Sequence, residues 1–380
     1  MEEQKFNRIP LPGEEDANQQ NSQESTNPDE EYRKYLAKYD LDDLSSHGES
    51  MDEQKRILSE SIITTKTKLK PVETLLSVGG VSIIERNDIY GTKGDPKSGK
   101  TTFNSVLITA ALNGCFCNVE ASTKNLKIIY LDTEQKPQDT HRILDRVKMM
   151  CGDLSDDYID SHFRIATLRK RNYTTLTHDL LRLVTDFRPD LIIADGIADF
   201  VDSINNEEAS NLLIHRMLCI VEDFNCAIIN MIHENKAYGD HNAKGHTGQI
   251  LTQKAAAIFE TQKTSGDIIK VKCTESRHKS MSDIFLMYDE QGFICDAREA
   301  YAVAKKEAAS RKTAEYEVMA IAIVNEVGGR IKRADLAAKM AEKSGKDRTW
   351  MSTQITNLLG KKLFEVNGMI QTSNQTEINF

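Results

Sequence analysis

No long hydrophobic run occurs in this 380-residue chain; the longest, Val318–Val324, has seven residues. A helix that crosses a bilayer needs about 20 apolar residues, so none is expected here, nor any membrane partner. A basic-then-apolar leader of the secretory type is also missing, which points to the cytoplasm. Cysteine is sparse: seven residues, scattered, with no C-x-x-C pair. That pattern argues against a disulfide framework and a structural zinc site, and fits a reducing compartment. With 20 Gly and 7 Pro, collagen-like and low-complexity architectures are excluded as well.

Positive charge is scarce at the start of the chain. Residues 1–60 carry 16 acidic and 7 basic side chains, and the remaining residues carry 42 of each. The whole formal charge of −9 therefore sits in the first 60 residues. Residues 1–30 are polar and hold few large apolar side chains. Such a segment cannot bury enough surface to offset the entropy of ordering. Residues 1–60 are thus expected to be a largely disordered acidic tail, with a short helix at Tyr32–Tyr39. The tail is either merely solvated or an acidic arm for a partner.

From residue 70 to 296 the pattern changes. Short apolar runs, Lys127–Leu131, Leu191–Ala194, Ala227–Met231 and Ile268–Val271, alternate with helix-length stretches such as Thr140–Met150 and Asn211–Phe224. Near-continuous apolar strands separated by helices predict an α/β domain with a parallel sheet covered on both faces.

The strongest motif is Gly94-Asp95-Pro96-Lys97-Ser98-Gly99-Lys100-Thr101, which matches G-x-x-x-x-G-K-[ST] in full. A strand-like run, Asp88–Tyr90, precedes it, and a helical run, Thr102–Leu112, follows. Glycines let the backbone wrap a polyphosphate with its N–H groups pointing inward, and the helix start adds its positive dipole end. Lys100 is expected to reach the β- and γ-phosphates of ATP, and Thr101 to offer its hydroxyl to Mg²⁺. Thr102, which opens the helical run, is expected to bind the nucleotide beside them, together with the loop residues Gly94 to Gly99.

Nucleotide binding alone does not fix the reaction. Asp195 ends an apolar strand, where a carboxylate can hold the Mg²⁺ water shell. Glu134 follows the strand Lys127–Leu131 in Leu131-Asp132-Thr133-Glu134, where it can take a proton from an attacking water. Taken singly, each is also a plausible cap or surface carboxylate, Glu134 because Asp132 makes the same tip acidic. His233 ends the strand over Ala227–Ile232. It is either a sensor of the γ-phosphate or a structural histidine.

Together these segments carry a resemblance. The phosphate loop, LDTE, LIIADGIADF and AIINMIHENK, in this order and at this spacing, resemble the RecA-like ATPases. Among them the hexameric replicative helicases of the RepA type from mobilisable plasmids, and related ATPases of mobile elements, are most similar. The resemblance covers roughly residues 72–295. It implies a RecA-like P-loop core with a mainly parallel twisted sheet, a homo-oligomer, hexameric in form, and single-stranded DNA in the ring. It supports a γ-phosphate role for His233. It implies DNA-facing loops near Asn205–Glu208 and at Lys244-Gly245-His246-Thr247-Gly248. It also implies that Arg277, in Cys273-Thr274-Glu275-Ser276-Arg277, reaches the neighbouring subunit's γ-phosphate. Two positions depart from the family. Glu275 stands where relatives have Lys, and Lys244 stands where they often have Arg, whose planar fork Lys does not copy.

Residues 297–313 are Ala-rich and charged, as in a helical linker. Beyond Ala314 the pattern predicts helices over Glu315–Val327, Arg333–Lys343 and Arg348–Leu359, the last capped by Asp347. Phe364–Val366 and Met369–Gln371 flank Asn367-Gly368, a hairpin signal. Three helices and a hairpin resemble a winged helix-turn-helix over residues 314–380. The resemblance implies base contacts from Arg348, Thr349, Thr353, Thr356 and Asn357, and phosphate contacts from Lys361 and Lys362. The same shape also serves protein contacts or ring packing, and both uses stay open.

The expectation is an ATP hydrolase with Lys100, Glu134 and Arg277 in catalytic roles, acting on DNA as a motor. The alternative is a loading or regulatory ATPase that binds DNA without unwinding it.

Overall fold

The computed structural model describes residues 27–38, 55–56, 58–59, 61–233, 245–277 and 279–372. Among the described residues the central sheet has nine strands. From one edge they are Ile294–Asp296, Ile284–Tyr288, Ile269–Ser276, Ala257–Lys263, Asp88–Gly94, Ala227–His233, Leu191–Asp195, Ile128–Asp132 and Phe163–Thr167. The six from Ala257–Lys263 onward run parallel. The remaining three are joined antiparallel. The sheet is therefore mixed and largely parallel.

Strand periodicity builds the two layers. Ile128 and Tyr130 belong to one apolar cluster, while Ile129 and Leu131 belong to the other, because successive side chains leave a strand on opposite faces. Helices Lys100–Asn113 and Pro137–Cys151 cover the first face. Helices Tyr173–Phe187, Glu207–Phe224 and Gly245–Lys254 cover the second. Parallel strands bring their C-terminal ends to one edge, and ligands of open α/β sheets bind there.

Two expectations about strands are revised. Ile269–Ser276 is antiparallel to its neighbour, since residues 264–268 are too few for the crossover of a dozen or more that parallel pairing needs. Ala257–Lys263 is a parallel strand of the core that the apolar pattern did not reveal. A second, four-stranded sheet is formed by Thr74–Val78, Val81–Glu85, Cys115–Phe116 and Val119–Ala121.

The segment expected to be disordered contains a helix at Pro28–Lys38 that begins earlier than the pattern suggested. Proline at the start and Asp29, Glu30 and Glu31 in the first turn suit the positive end of a helix. Tertiary contacts hold it: Arg182 pairs with Asp29 at 2.6 Å, Lys38 with Asp223 at 2.7 Å, and Arg188 with Glu31. Tyr35 packs on Phe224 with ring centroids 4.6 Å apart. Residues 1–26, 39–54, 57 and 60 of the expected tail lie outside the described residues, Tyr39 at the end of the expected helix among them.

The expected linker and the first C-terminal helix form one continuous helix, Arg298–Glu326. Helices Arg333–Ser344 and Arg348–Leu358 follow, and Asp347 caps the latter by accepting from the Trp350 N–H at 2.9 Å. Strands Arg330–Lys332, Met369–Thr372 and Leu363–Val366 make a three-stranded sheet in that order. Asn367 and Gly368 take φ values of 50° and 73°, as a tight hairpin turn requires. Ile323, Val324, Leu336, Met340, Met351, Ile355 and Ile370 form the core of this unit. No helix among the described residues is long and apolar enough to cross a membrane.

Candidate functional site

A cavity of about 700 Å³ opens at the C-terminal edge of the parallel strands. Pro96, Lys97, Gly99, Lys100, Thr101, Thr102, Glu134, Asp195 and His233 all line it. The structure thus brings together nearly all the residues that the sequence singled out for nucleotide chemistry. Gly94, Asp95 and Ser98 complete the loop behind them, where Ser98 Oγ lies 2.7 Å from Thr261 Oγ1.

The loop fits a polyphosphate. Gly94 has φ 150°, and a Cβ there would fall 2.5 Å from both Ser98 Oγ and the Thr261 carbonyl oxygen. Only a bare backbone closes this turn. Lys100 folds back over the loop and donates to the Gly94 and Asp95 carbonyls at 2.7 and 3.0 Å. Its ammonium is therefore placed inside the loop that would cradle phosphates. The hydroxyl of Thr101 and the carboxylate of Asp195 face the same cavity, a hard oxygen donor set that suits Mg²⁺.

Glu134 is held from three sides. Asp132 is fully buried and accepts from the Glu134 and Gln135 N–H groups at 3.1 and 2.8 Å and from the Thr140 hydroxyl at 2.7 Å. It is the brace of this turn, not a second surface carboxylate at an acidic tip. His233 Nε2 stands 3.0 Å from Glu134 Oε1. Gly196 has φ 139°, and a Cβ there would come within 2.7 Å of Glu134 Oε1, so glycine lets the glutamate settle against the strand that ends in Asp195. The hydrogen bond from His233 holds the Glu134 carboxyl below its ordinary range; burial opposes this, and the charges of His233 and Lys100 reinforce it. Glu134 therefore stays an ionised acceptor.

Asp195 is 6% exposed. Burial pushes its carboxyl up to about 7, the hydrogen bond from Tyr130 pulls it down, and the charges of Glu134 and Asp132 add to the rise. A nearby cation inverts this balance. Thr133, between Asp132 and Glu134, donates to Asp199 Oδ2 at 2.6 Å and so ties the glutamate's turn to the segment after Asp195.

Sequence reasoning missed several residues that line the cavity. Arg142 and Arg146 come from helix Pro137–Cys151, Lys263 from the end of its strand, and Tyr288 from the antiparallel edge. The Tyr288 hydroxyl lies 2.7 Å from Thr102 Oγ1, and the Arg146 guanidinium lies 5.8 Å from the Tyr288 ring centre. These positions depend on tertiary pairing and left no local motif.

Arg277 is not in this cavity. Its N–H bonds the Ala256 carbonyl and its guanidinium donates to the Lys254 carbonyl at 2.6 Å. That is the opposite end of strand Ala257–Lys263 from Lys263, about 20 Å away at ~3.3 Å per residue. Lys244 lies outside the described residues. Gly245 and the exposed His246 begin helix Gly245–Lys254. There the Thr247 N–H donates to the Ile204 carbonyl at 3.2 Å, and Thr247 Oγ1 lies 2.7 Å from Ser210 Oγ. The two loops expected to face DNA therefore adjoin.

In the C-terminal unit all seven residues expected to contact DNA, Arg348, Thr349, Thr353, Thr356, Asn357, Lys361 and Lys362, are exposed. Arg348 donates to the Ala334 carbonyl at 3.2 Å, Thr353 to the Thr349 carbonyl at 3.3 Å, and Thr356 receives Arg333. Lys362 lies 3.7 Å from Glu317.

A family model described as an AAA domain matches residues 56–239. The matched stretch contains the phosphate loop, Glu134, Asp195 and His233, and stops before Gly245, Arg277 and the C-terminal unit. No curated protein matches the chain. The match and the geometry agree on a P-loop ATPase-type domain, and such domains generally use ATP and Mg²⁺.

Proposed function

We propose that this protein is an ATP-driven motor acting on DNA, assembled as a ring of identical subunits with nucleotide at the interfaces. In kind it would resemble the hexameric replicative helicases of plasmids and mobile elements. The observation that carries the reading is the gathering of Lys100, Thr101, Glu134, Asp195 and His233 around one cavity at the C-terminal ends of the parallel strands. The nucleotide cavity sits at one end of the sheet, while Arg277 sits about 20 Å away along the strand, at ~3.3 Å per residue. An arginine so placed serves a γ-phosphate only when that phosphate belongs to a neighbour. The latch between Ile204 and Thr247 joins the expected DNA-facing loops, which adds support.

Hydrolysis follows from the side chains. Glu134, ionised and aimed by Asp132, Gly196 and His233, accepts a proton from water as it attacks the terminal phosphorus; the bond from that phosphorus to the bridging oxygen breaks, and ADP and phosphate leave. Lys100 neutralises phosphate charge, and Arg277 from the adjoining subunit stabilises charge that develops in the transition state. Thr101 and Asp195 would hold Mg²⁺, which supplies charge neutralisation for the phosphates. The Thr133–Asp199 hydrogen bond is the link through which a change at Glu134 would reach the segment between Phe200 and Glu207. The C-terminal unit is read as a winged helix that contacts duplex DNA through Thr349, Asn357 and Lys361.

A second reading, an ATPase that loads or regulates a partner without unwinding, draws on the C-terminal unit. There Arg348, Thr356 and Lys362 already have partners within the fold. Displacement of a strand from a forked duplex by the purified protein and ATP separates the two. Displacement supports the motor; DNA-stimulated hydrolysis without displacement favours the loader.

A further inference from the structure

One buried side chain behind Asp195, which lines the nucleotide cavity, has no part in the hydrolysis scheme above. Tyr130 is 0% exposed, and its hydroxyl donates to Asp195 Oδ2 at 2.5 Å. Strand register sets up this contact. Asp195 pairs with Asp132 and Ile193 with Tyr130, so Tyr130 and Asp195 share a face as diagonal neighbours on adjacent strands. Such a diagonal spans about 7–8 Å between Cα atoms, within reach of an aromatic side chain. The Thr101 side chain faces the same phenol, and Met231 Sδ lies 3.8 Å from the hydroxyl. The phenol therefore adjoins both residues assigned to the metal.

The other buried carboxylate nearby does not need it. Both oxygens of Asp132 are already taken by the Glu134 and Gln135 N–H groups and by Thr140. Asp195 has a different environment. Without the phenol, a buried carboxylate loses the donor that fixes its orientation, and buried polar groups are costly to leave unpaired.

We propose that Tyr130 is a positioning residue for Mg²⁺: its phenol occupies Oδ2 of Asp195 and so presents Oδ1 to the metal's water shell beside Thr101. Hydrogen-bond partners of groups that ligate a metal directly typically set 10- to 100-fold of metal affinity, and because Asp195 acts through the water shell the expected effect is at the low end of that range. The inference rests on reading the cavity as a Mg²⁺–nucleotide site, and it adds a requirement that this reading does not contain.

The test is nucleotide binding, measured with a fluorescent ADP analogue in Mg²⁺ and in EDTA, for the wild type, Tyr130→Phe, Asp195→Asn and the double variant. The wild type should bind more tightly in Mg²⁺. Tyr130→Phe should lose about tenfold of that gain. Its affinity in EDTA should stay within about twofold of the wild type, which also reports an intact fold. Asp195→Asn should lose the gain too, and adding Tyr130→Phe to it should change nothing further. A full Mg²⁺ gain in Tyr130→Phe would overturn the positioning role while leaving the nucleotide site intact. Additive losses in the double variant would overturn the route through Asp195. A wild type that binds no nucleotide would sink the site and the inference together.

Discussion

At the scale of single residues, the chemistry converges on Glu134. Its turn is braced by Asp132, its carboxylate meets His233 at 3.0 Å, and Gly196 leaves room for it. Glu134→Gln should bind ATP as the wild type does and lose about 10²–10⁴-fold in turnover, the usual worth of a positioned general base. Isothermal titration beside a phosphate-release assay checks both halves. His233→Ala removes the interaction that lowers the Glu134 pKa, so that pKa must rise. A base works when ionised, hence the acid limb of the rate profile should move to higher pH; an unmoved limb would separate His233 from the base. Lys100, Thr101, Asp195 and Glu134 were legible because each falls at a fixed place relative to a strand end. Tyr130 was not, since a tyrosine within an apolar run reads only as strand. Asp132 read as a surface acid because nothing in the sequence reveals that its oxygens receive two N–H groups and a hydroxyl.

At the scale of elements, local signals and long-range pairing divided the outcome. The phosphate loop and its helix, the cap at Asp347 and the turn at Asn367-Gly368 depend on neighbours in sequence, and they read correctly there. The strand Ala257–Lys263 did not, because Glu260, Thr261 and Gln262 hide an apolar pattern that only the flanking strands complete. The C-terminal unit offers an element-level prediction. Ile355 is fully buried in its core, so Ile355→Ala should destabilise that unit by about 2–5 kcal/mol. The single Trp of the chain, Trp350, packs edge-on against Tyr316 with ring centres 5.5 Å apart and gives the optical signal. Denaturation followed by Trp fluorescence should shift, while loss of nucleotide binding keeps its wild-type midpoint. A common shift of both would mean that the two cores unfold as one.

At the scale of the whole molecule, the proposed ring would join two ends of one sheet through a neighbour. Arg277→Ala should fold and bind nucleotide but fail to turn over at the rate of the wild type. Lys100→Ala should fail in its own pocket. Mixing the two inactive variants creates interfaces with an intact pocket on one side and an intact arginine on the other. Turnover should therefore reappear in the mixture, and its absence would count against the shared site. The α/β core and the cavity that gathers Lys100, Thr101, Glu134, Asp195 and His233 were largely readable from spacing, whereas assembly is a property of surfaces that no periodicity encodes. The most direct measurement is ATP hydrolysis by the purified protein, alone and with single-stranded or duplex DNA, beside Lys100→Ala. The wild type should turn over ATP at a rate that single strands raise strongly, and Lys100→Ala should show none. Hydrolysis indifferent to DNA, or full turnover by Lys100→Ala, would contradict the proposed motor.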